Sequence, residues 1–184
     1  MQGGIAPMKL TDSREIIAEP ATVWRAILDP DVLKHCIPGC ESLTGSVADG
    51  FEAVVVQKVG PVKARFAGVV HLTDVVEGRS VTIAGEGKGG AAGFAKGRAV
   101  VTLEPMTGGT RLTYDVEASV GGKIAQLGSR IIDGFAKKMA DDFFTRFQHA
   151  VETPDDENVA AISEEKVAPM NAKPKGWFKR LIGE

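Results

Sequence analysis

Residues 84–99 read AGEGKGGAAGFAKGRA, and the glycines Gly85, Gly87 and Gly90 match the G-x-G-x-x-G spacing of a phosphate-binding loop. That motif indicates a dinucleotide site only where it follows a strand and opens a helix in a β-α-β unit. Here the run follows VTIA and precedes AVVTLEP, a second segment with strand character, and no helical segment separates them. The run therefore predicts a long flexible hairpin connection or a bulged strand edge, and not a phosphate cradle.

The segments around this run alternate apolar and polar residues. One clear stretch covers residues 62–72 and another covers residues 112–120. A period of two with one apolar face is typical of antiparallel strands that are buried on one side. Turn signals such as Ala48-Asp49-Gly50 separate the stretches, so residues 42–120 predict about six strands. Residues 9–17 predict one further strand, at the N-terminal side.

Helical periodicity lies on either side of the predicted sheet. Pro20 suits a first helical turn, Asp29-Pro30 separates two short helices, and Pro38-Gly39 ends the second one. After Gly121-Gly122, apolar residues recur every three or four positions and predict one amphipathic helix of roughly 28 residues. At 1.5 Å per residue such a helix is about 40 Å long, and a curved sheet is the element wide enough to cover it.

Composition narrows the function classes. The chain has 184 residues, 43% hydrophobic and 25% charged, which are ordinary globular values. A net charge of −2 argues against a nucleic-acid partner, and two cysteines are too few for a disulfide scaffold. The N-terminus lacks the pattern of a signal peptide, so the sequence predicts a cytoplasmic protein. We expect Met8 to be a natural start and residues 1–7 to lie outside the fold.

Two motifs make this order of elements specific. Residues 22–40, TVWRAILDPDVLKHCIPGC, contain the pattern V-W…D-P-x-x-L…C-I-P-G-C, and residues 121–135, GGKIAQLGSRIIDGF, give a glycine-led helix start. Together with the later pair Phe143-Phe144, they resemble the carbon monoxide dehydrogenase CoxG family over about residues 8–152.

The resemblance implies an α+β helix-grip fold, shared with START-type lipid carriers and the birch-pollen-allergen superfamily. In that fold a seven-stranded curved antiparallel sheet wraps around a long C-terminal helix, and two short helices follow strand 1. It also implies a cavity between sheet and helix, and an accessory role beside molybdenum-containing CO dehydrogenases or related hydroxylases rather than a catalytic one.

On this basis we predict a ligand site on the apolar faces of strands and helix. Its residues would be Phe66, Val70, Ile83, Phe94, Val101, Tyr114, Leu127, Ile131, Phe135 and Met139. Small inward residues such as Ala64, Gly68 and Ala118 favour a pocket, although an ordinary packed core would have a similar pattern. The Tyr114 hydroxyl would either orient a ligand carbonyl or bond to neighbouring backbone. Residues 87–94 would form the gate.

The C-terminal residues differ from the rest of the chain. Residues 153–170 are acidic and predict a flexible linker, whereas residues 171–184 predict a basic amphipathic tail. The membrane-binding residues of this tail would be Lys175, Trp177, Phe178, Lys179, Arg180, Leu181 and Ile182. This predicts peripheral attachment to the inner face of the cell membrane, with docking on a partner protein as the alternative.

Three functions follow from these predictions. The first is a carrier that binds a respiratory quinone, menaquinone or ubiquinone, without a covalent cofactor and moves it between membrane lipids and the hydroxylase. The second is an assembly or membrane-recruitment factor for the dehydrogenase, with no ligand transfer.

The third function, an enzyme, is disfavoured. His35, His71 and His149 are scattered over different elements, and the predicted inward positions offer only Tyr114 as an acid or base. Cys36 and Cys40 with His35 could suggest a metal, but Pro38 breaks their helical spacing and no second ligand pair exists. We therefore predict neither catalytic nor metal-binding residues.

Overall fold

In the computed structural model, residues 5–152 are described, and they form one antiparallel sheet with three helices. The elements in chain order are β1 (Ala6–Ile16), α1 (Pro20–Ile27), α2 (Pro30–Cys36), β2 (Cys40–Ser46), β3 (Gly50–Val59), β4 (Val62–Val76), β5 (Ser80–Lys88), β6 (Phe94–Met106), β7 (Gly109–Gly121) and α3 (Ser129–Glu152). The seven strands lie in the order β1-β7-β6-β5-β4-β3-β2. This confirms the predicted fold class, including the two short helices after the first strand.

The corner between α2 and β2 is built as its sequence predicts. Asp29 caps α2, since its carboxylate accepts hydrogen bonds from the backbone N–H groups of Asp31 and Val32 at 2.8 and 3.4 Å. Gly39 has φ of +73°, and a Cβ there would overlap the carbonyl oxygen of Val56. Only glycine fits this turn, so the C-I-P-G-C segment fixes how α2 joins the sheet.

The N-terminal strand begins earlier than predicted. Ala6 pairs with Val120 and Pro7 pairs with Ser119 on β7. The expectation that residues 1–7 lie outside the fold is therefore wrong for the last two of them. Pro7 is tolerated because β1 is an edge strand, where one missing backbone donor breaks no second ladder.

The glycine run is mostly strand. β5 continues to Lys88 and β6 begins at Phe94, and the pairs between them run without a register shift. The connection has only residues 89–93, and Gly89 N–H donates to the carbonyl of Gly93 at 2.8 Å. The prediction of a long flexible connection or a bulged edge is wrong, because ladder hydrogen bonds hold the glycines on both strands.

The long helix is also shorter than predicted. A 3-10 turn at Ala125–Leu127 precedes α3, and Gly128 between them has φ of +92°, outside the helical region. α3 therefore has 24 residues instead of one continuous helix from Ile124. Among residues 5–152, none of the helices combines the length and the apolar character that crossing a membrane requires.

The buried side chains of the described residues form two groups between sheet and helices. The first cluster is built from α1, the far half of α3 and the strand ends facing them, with Ile16, Val23, Trp24, Leu112, Tyr114, Phe144 and Phe147 among its members. The second cluster contains Val59, Ala92, Val120, Ile124 and Ile132. These clusters hold opposite halves of α3 against the sheet.

Candidate functional site

Between the two clusters the inner face of the sheet carries almost no side chains. Pairing places Gly85 beside Val70 and Gly97, and Gly97 beside Ala118, so their positions form one row across four strands. We call the small residues of this row and its neighbours the small-residue floor: Gly68, Gly85, Gly87, Ala95, Gly97, Ala99 and Ala118. A floor of this kind leaves room between β4–β7 and the helix that crosses them.

Glycine in the floor also reflects how tightly the sheet curves. A Cβ on Gly68, Gly85 or Gly97 would lie 2.6–2.9 Å from a carbonyl oxygen of the neighbouring strand. Real side chains do not approach a backbone oxygen so closely. Gly87 differs, since the nearest atoms to its Cβ position are 3.8 Å away. The glycine run therefore allows the curvature and leaves the concave face bare, which is a structural role and not phosphate binding.

Two predicted site residues belong to the space between the clusters. Phe144 and Phe147 of α3 pack into the first cluster, whereas Ile132 packs into the second. Met139 lies between them along the helix, and within residues 5–152 both Met139 and Val70 of β4 belong to neither cluster. Because they share this space with the small-residue floor, the floor, Val70 and Met139 are the candidate ligand site.

Six more predicted residues line the two ends of this space. Phe66, Leu127 and Phe135 pack against the second cluster, and Ile83 packs against the first. Val101 and Tyr114 are buried members of the first cluster. These six contribute the walls at either side of the floor.

Phe94 and Ile131 are exceptions. Phe94 is 40% exposed, and its ring lies over Gly121 on the outer face of the sheet, because Ala95, Gly97 and Ala99 take the inward positions of β6. Ile131 is 41% exposed while Ile132 is 3% exposed. The break at Gly128 changes the phase of the helix, so the inward residue is one position later than predicted.

Tyr114 does not satisfy its hydroxyl on the backbone. Its ring stacks on Phe144, with centroids 4.9 Å apart and an interplanar angle of 15°. The hydroxyl accepts a hydrogen bond from Nη2 of Arg14 at 3.5 Å. The partner of this tyrosine is therefore a guanidinium group on the edge strand β1.

Arg14 joins the sheet to the long helix. Its Nη2 lies 2.5 Å from Oδ1 of Asp141 on α3 and 3.4 Å from Oδ2 of Asp12, and its guanidinium lies 5.2 Å from the centroid of the Phe144 ring. Burial lowers the pKa of Arg14, but the hydrogen bond to Asp141 outweighs burial and the pKa is raised. The same hydrogen bond lowers the pKa of Asp141.

The sequence contained a signal for Arg14 that pattern reading missed. Met8, Leu10 and Ile16 follow the inward period of β1, and Arg14 shares their parity. A long cation at an apolar position of a half-buried strand requires a partner inside the fold.

A groove of about 430 Å³ lies on the outer face of the sheet, opposite the predicted site. Thr44, Glu52, Val69 and Glu86 contribute to its walls, so charged, polar and apolar side chains alternate there. The groove is open to solvent and faces away from the two clusters. It is a candidate surface for another protein rather than a site for an apolar ligand.

The cysteines and histidines have structural surroundings. Cys36 is buried in the first cluster, and burial raises the pKa of its thiol, as it does for Cys40. Nδ1 of His35 lies 2.7 Å from the carbonyl oxygen of Asp31, and His71 is exposed on the outer face. Within residues 5–152, no three His, Cys, Asp or Glu side chains are arranged to hold a metal ion.

The predicted linker (153–170) and tail (171–184) lie outside the described residues. Their membrane-binding residues therefore stay predictions. The turn at residues 89–93 has a different standing, because its contacts are visible. Ala92 is buried in the second cluster and its carbonyl accepts from Ile124 N–H at 3.0 Å. Opening a gate there would break these contacts.

Comparison with known proteins gives a family and a fold. The sequence model of the carbon monoxide dehydrogenase CoxG family matches residues 13–152. A conserved protein from Geobacillus kaustophilus is 32% identical, with a TM-score of 0.74, over 79% of this chain and 95% of that one. Among curated proteins no significant match is found.

More distant structures share the fold alone. A putative uncharacterized protein from Rhizobium leguminosarum is 18% identical, with a TM-score of 0.65 over 81% of this chain and 97% of that one. Ara h 8.0201 is 14% identical, with a TM-score of 0.58 over 80% of this chain and 99% of that one.

Proposed function

The chain belongs to the carbon monoxide dehydrogenase CoxG family, and from this membership we propose that it is an accessory protein that binds a hydrophobic ligand between its sheet and α3. The observation that carries this proposal is the small-residue floor between two packed clusters. A sheet that packed α3 directly would place larger side chains at Gly85, Gly97 and Ala118. The family name supports a role beside a dehydrogenase and not a catalytic role of its own.

The ligand we propose is a respiratory quinone, menaquinone or ubiquinone. Oxidation of CO by a molybdenum hydroxylase releases electrons that a respiratory chain must accept. A quinone is the membrane carrier for such electrons, and its isoprenoid chain keeps it out of water. A protein that encloses the quinone over an apolar floor, beside Val70 and Met139, would move it between membrane and enzyme.

The C-terminal tail would provide the membrane end of this transfer. Trp177, Phe178, Leu181 and Ile182 would insert into the interface, each contributing roughly 1.5–3 kcal/mol when fully buried. The four basic residues of the tail would add about 1 kcal/mol each near an anionic surface. We therefore propose reversible attachment to the inner face of the cell membrane, supported by composition.

The ligand is tested by extraction. Full-length protein is purified without detergent, and bound small molecules are extracted and identified by mass spectrometry and by the ultraviolet spectrum before and after borohydride. We expect a redox-responsive isoprenoid quinone at near-stoichiometric amounts. The matched control is Ala118→Leu, which fills the floor and should lower the yield several-fold. A wild-type protein that is empty and rejects added quinone would contradict the proposal.

The tail is tested separately. Removing residues 171–184 should abolish co-sedimentation with anionic liposomes while the urea midpoint of the domain stays unchanged. A double substitution, Trp177→Ala with Phe178→Ala, keeps the charges and should lose most of the binding. Unchanged sedimentation of the truncated protein would remove the membrane tether from the account.

One observation favours a second function, an assembly or recruitment factor. The outer groove combines exposed Val69 with the carboxylates of Glu52 and Glu86, a mixture that suits a protein partner. An assembly factor should capture cofactor-poor hydroxylase preferentially, whereas a carrier should also bind the mature enzyme. Pull-downs with both forms of the enzyme, using wild-type protein and Val69→Glu, distinguish the two functions.

A further inference from the structure

We propose that the Nε–H group of Arg14 and the hydroxyl of Tyr114 form the polar end of the ligand site and bind a neutral carbonyl oxygen of the apolar ligand. This inference rests on the proposed function and names the chemical group that the protein recognises. The ligand class is an apolar molecule that ends in a ketone or quinone carbonyl, rather than a fatty acid or a hydrocarbon.

The first donor is an N–H group that is buried without a partner. Nη2 of Arg14 already contacts Asp141 and Tyr114. Nε of the same side chain is shielded from solvent, and within residues 5–152 no acceptor lies within hydrogen-bond distance of it. Buried donors are almost always paired in folded proteins, because an unpaired donor has lost its hydrogen bond to water. A ligand oxygen would restore that bond.

The second donor is the hydroxyl proton of Tyr114. A phenol hydroxyl has one proton to donate and also accepts. Here the oxygen accepts from Arg14, and within the described residues the structure gives the proton no acceptor. Tyr114 is almost fully buried, so water does not readily replace one. Two unused donors therefore lie on one connected pair of side chains, both held against the ring of Phe144.

The pair lies next to the small-residue floor. Tyr114 is opposite Val101, the next inward position of β7 is Val116 opposite Ala99, and the one after that is Ala118 opposite Gly97. A ligand lying on the floor would thus have one end near Tyr114. The rest of its surface would face glycine, alanine, Val70 and Met139, which offer no polar side-chain groups.

Charge selects a neutral oxygen. The single positive charge of Arg14 is faced by two carboxylates, Asp141 at 2.5 Å and Asp12 at 3.4 Å. The guanidinium is therefore already neutralised, and an anionic ligand group would meet net negative charge. A carbonyl oxygen accepts hydrogen bonds without adding charge. The arrangement consequently favours a quinone over a carboxylate of similar chain length.

The test compares three probes on full-length protein by equilibrium binding. The probes are a menaquinone with a short isoprenoid chain, its naphthalene analogue without carbonyls, and an isoprenoid carboxylic acid of equal chain length. We expect the wild type to bind the quinone at least about tenfold more tightly than either other probe. Tyr114→Phe keeps the ring on Phe144, and it should lose most of this preference while its affinity for the naphthalene analogue stays unchanged.

Arg14→Lys is the second variant. It retains a cation for Asp141 but lacks the Nε donor, so it should also reduce the preference for the quinone. If both variants keep the wild-type preference, or if the wild type binds the carboxylic acid best, the donor pair is not the polar end. In either case the carrier function still stands, because the quinone or the acid is bound. If the wild type binds none of the probes, the proposed function itself is contradicted.

Discussion

The two ends of the α3 helix face the same sheet but meet different surfaces. Towards its C-terminal end, Phe144, Phe147 and Val151 pack into the first cluster, where Val23 and Leu112 are completely buried. Around Met139 the strands opposite offer glycine and alanine. Both regions have the same period-two alternation along their strands. This contrast shows that side-chain size at the inward positions, and not their polarity, decides whether the fold is packed or hollow.

We expect the strongest destabilisation in the packed region. Phe147 is fully buried and its ring stacks on Phe143 with centroids 5.7 Å apart. Phe147→Ala should lower the free energy of unfolding by about 3–5 kcal/mol, measured by urea denaturation. The control is Ile131→Ala on the exposed side of the same helix, where we expect a loss below about 1 kcal/mol. Equal losses for the two variants would contradict the assignment of the core.

A matched pair of glycines probes the hollow region. A Cβ on Gly97 would lie 2.7 Å from the carbonyl oxygen of Glu117, whereas the nearest atoms to a Cβ on Gly87 are 3.8 Å away. We expect Gly97→Ala to destabilise the protein by about 1–3 kcal/mol. Gly87→Ala should be neutral or stabilising by up to about 1 kcal/mol. Thermal and urea unfolding measure both, and equal effects would show that curvature does not require glycine at Gly97.

Filling the hollow region should cost binding rather than stability. Ala118→Leu adds three carbon atoms over the small-residue floor, where we expect unoccupied space. Its free energy of unfolding should change by less than about 1 kcal/mol, while overpacking of a filled core typically costs about 1–3 kcal/mol. Quinone binding to the same variant should fall at least about tenfold. A strongly destabilised Ala118→Leu protein would indicate that the floor is already covered.

The smallest effect concerns the clamp between β1 and α3. Arg14 lowers the pKa of Asp141, so this carboxylate stabilises the folded state above its unfolded pKa of about 3.9. That contribution is lost as the pH falls through the lower folded pKa. The stability difference between wild type and Asp141→Asn should thus be constant from about pH 7 to 5 and shrink below about pH 4.

Urea midpoints at a series of pH values measure this difference. Asp142→Asn is the control, because Asp142 lies on the same helix but pairs with exposed Lys138. A difference for Asp141→Asn that persists unchanged at pH 3 would contradict the ion pair with Arg14.

The sequence predicted the fold well because the fold depends on local signals. Alternation defined the faces of β4 and β7, Asp29-Pro30 separated the short helices, and Pro38-Gly39 defined the corner. The errors arose where a single glycine conformation or long-range pairing decided. Gly128 interrupts the helical period, and the glycine run is held as strand by ladders on both sides, which strand propensity alone does not indicate.

The candidate site was predictable only in part. The inward positions of the strands identified eight of the ten ligand residues as facing the clusters or the space between them, but helix phase misplaced Ile131 and strand parity misplaced Phe94. Arg14 was missed because its partners, Tyr114 and Asp141, are 100 and 127 residues away in sequence. Such pairs form only once β1 joins β7 at the sheet edge.

Photocrosslinking of the full-length protein would show where the ligand binds. An isoprenoid quinone carrying a diazirine is bound, irradiated and located by peptide mass spectrometry. We expect crosslinks on the inner face, at Val70, Ala118 and Met139, and their loss when unlabelled quinone competes. Crosslinks confined to the outer groove around Glu52 and Val69, or none that competition removes, would contradict a ligand site over the small-residue floor.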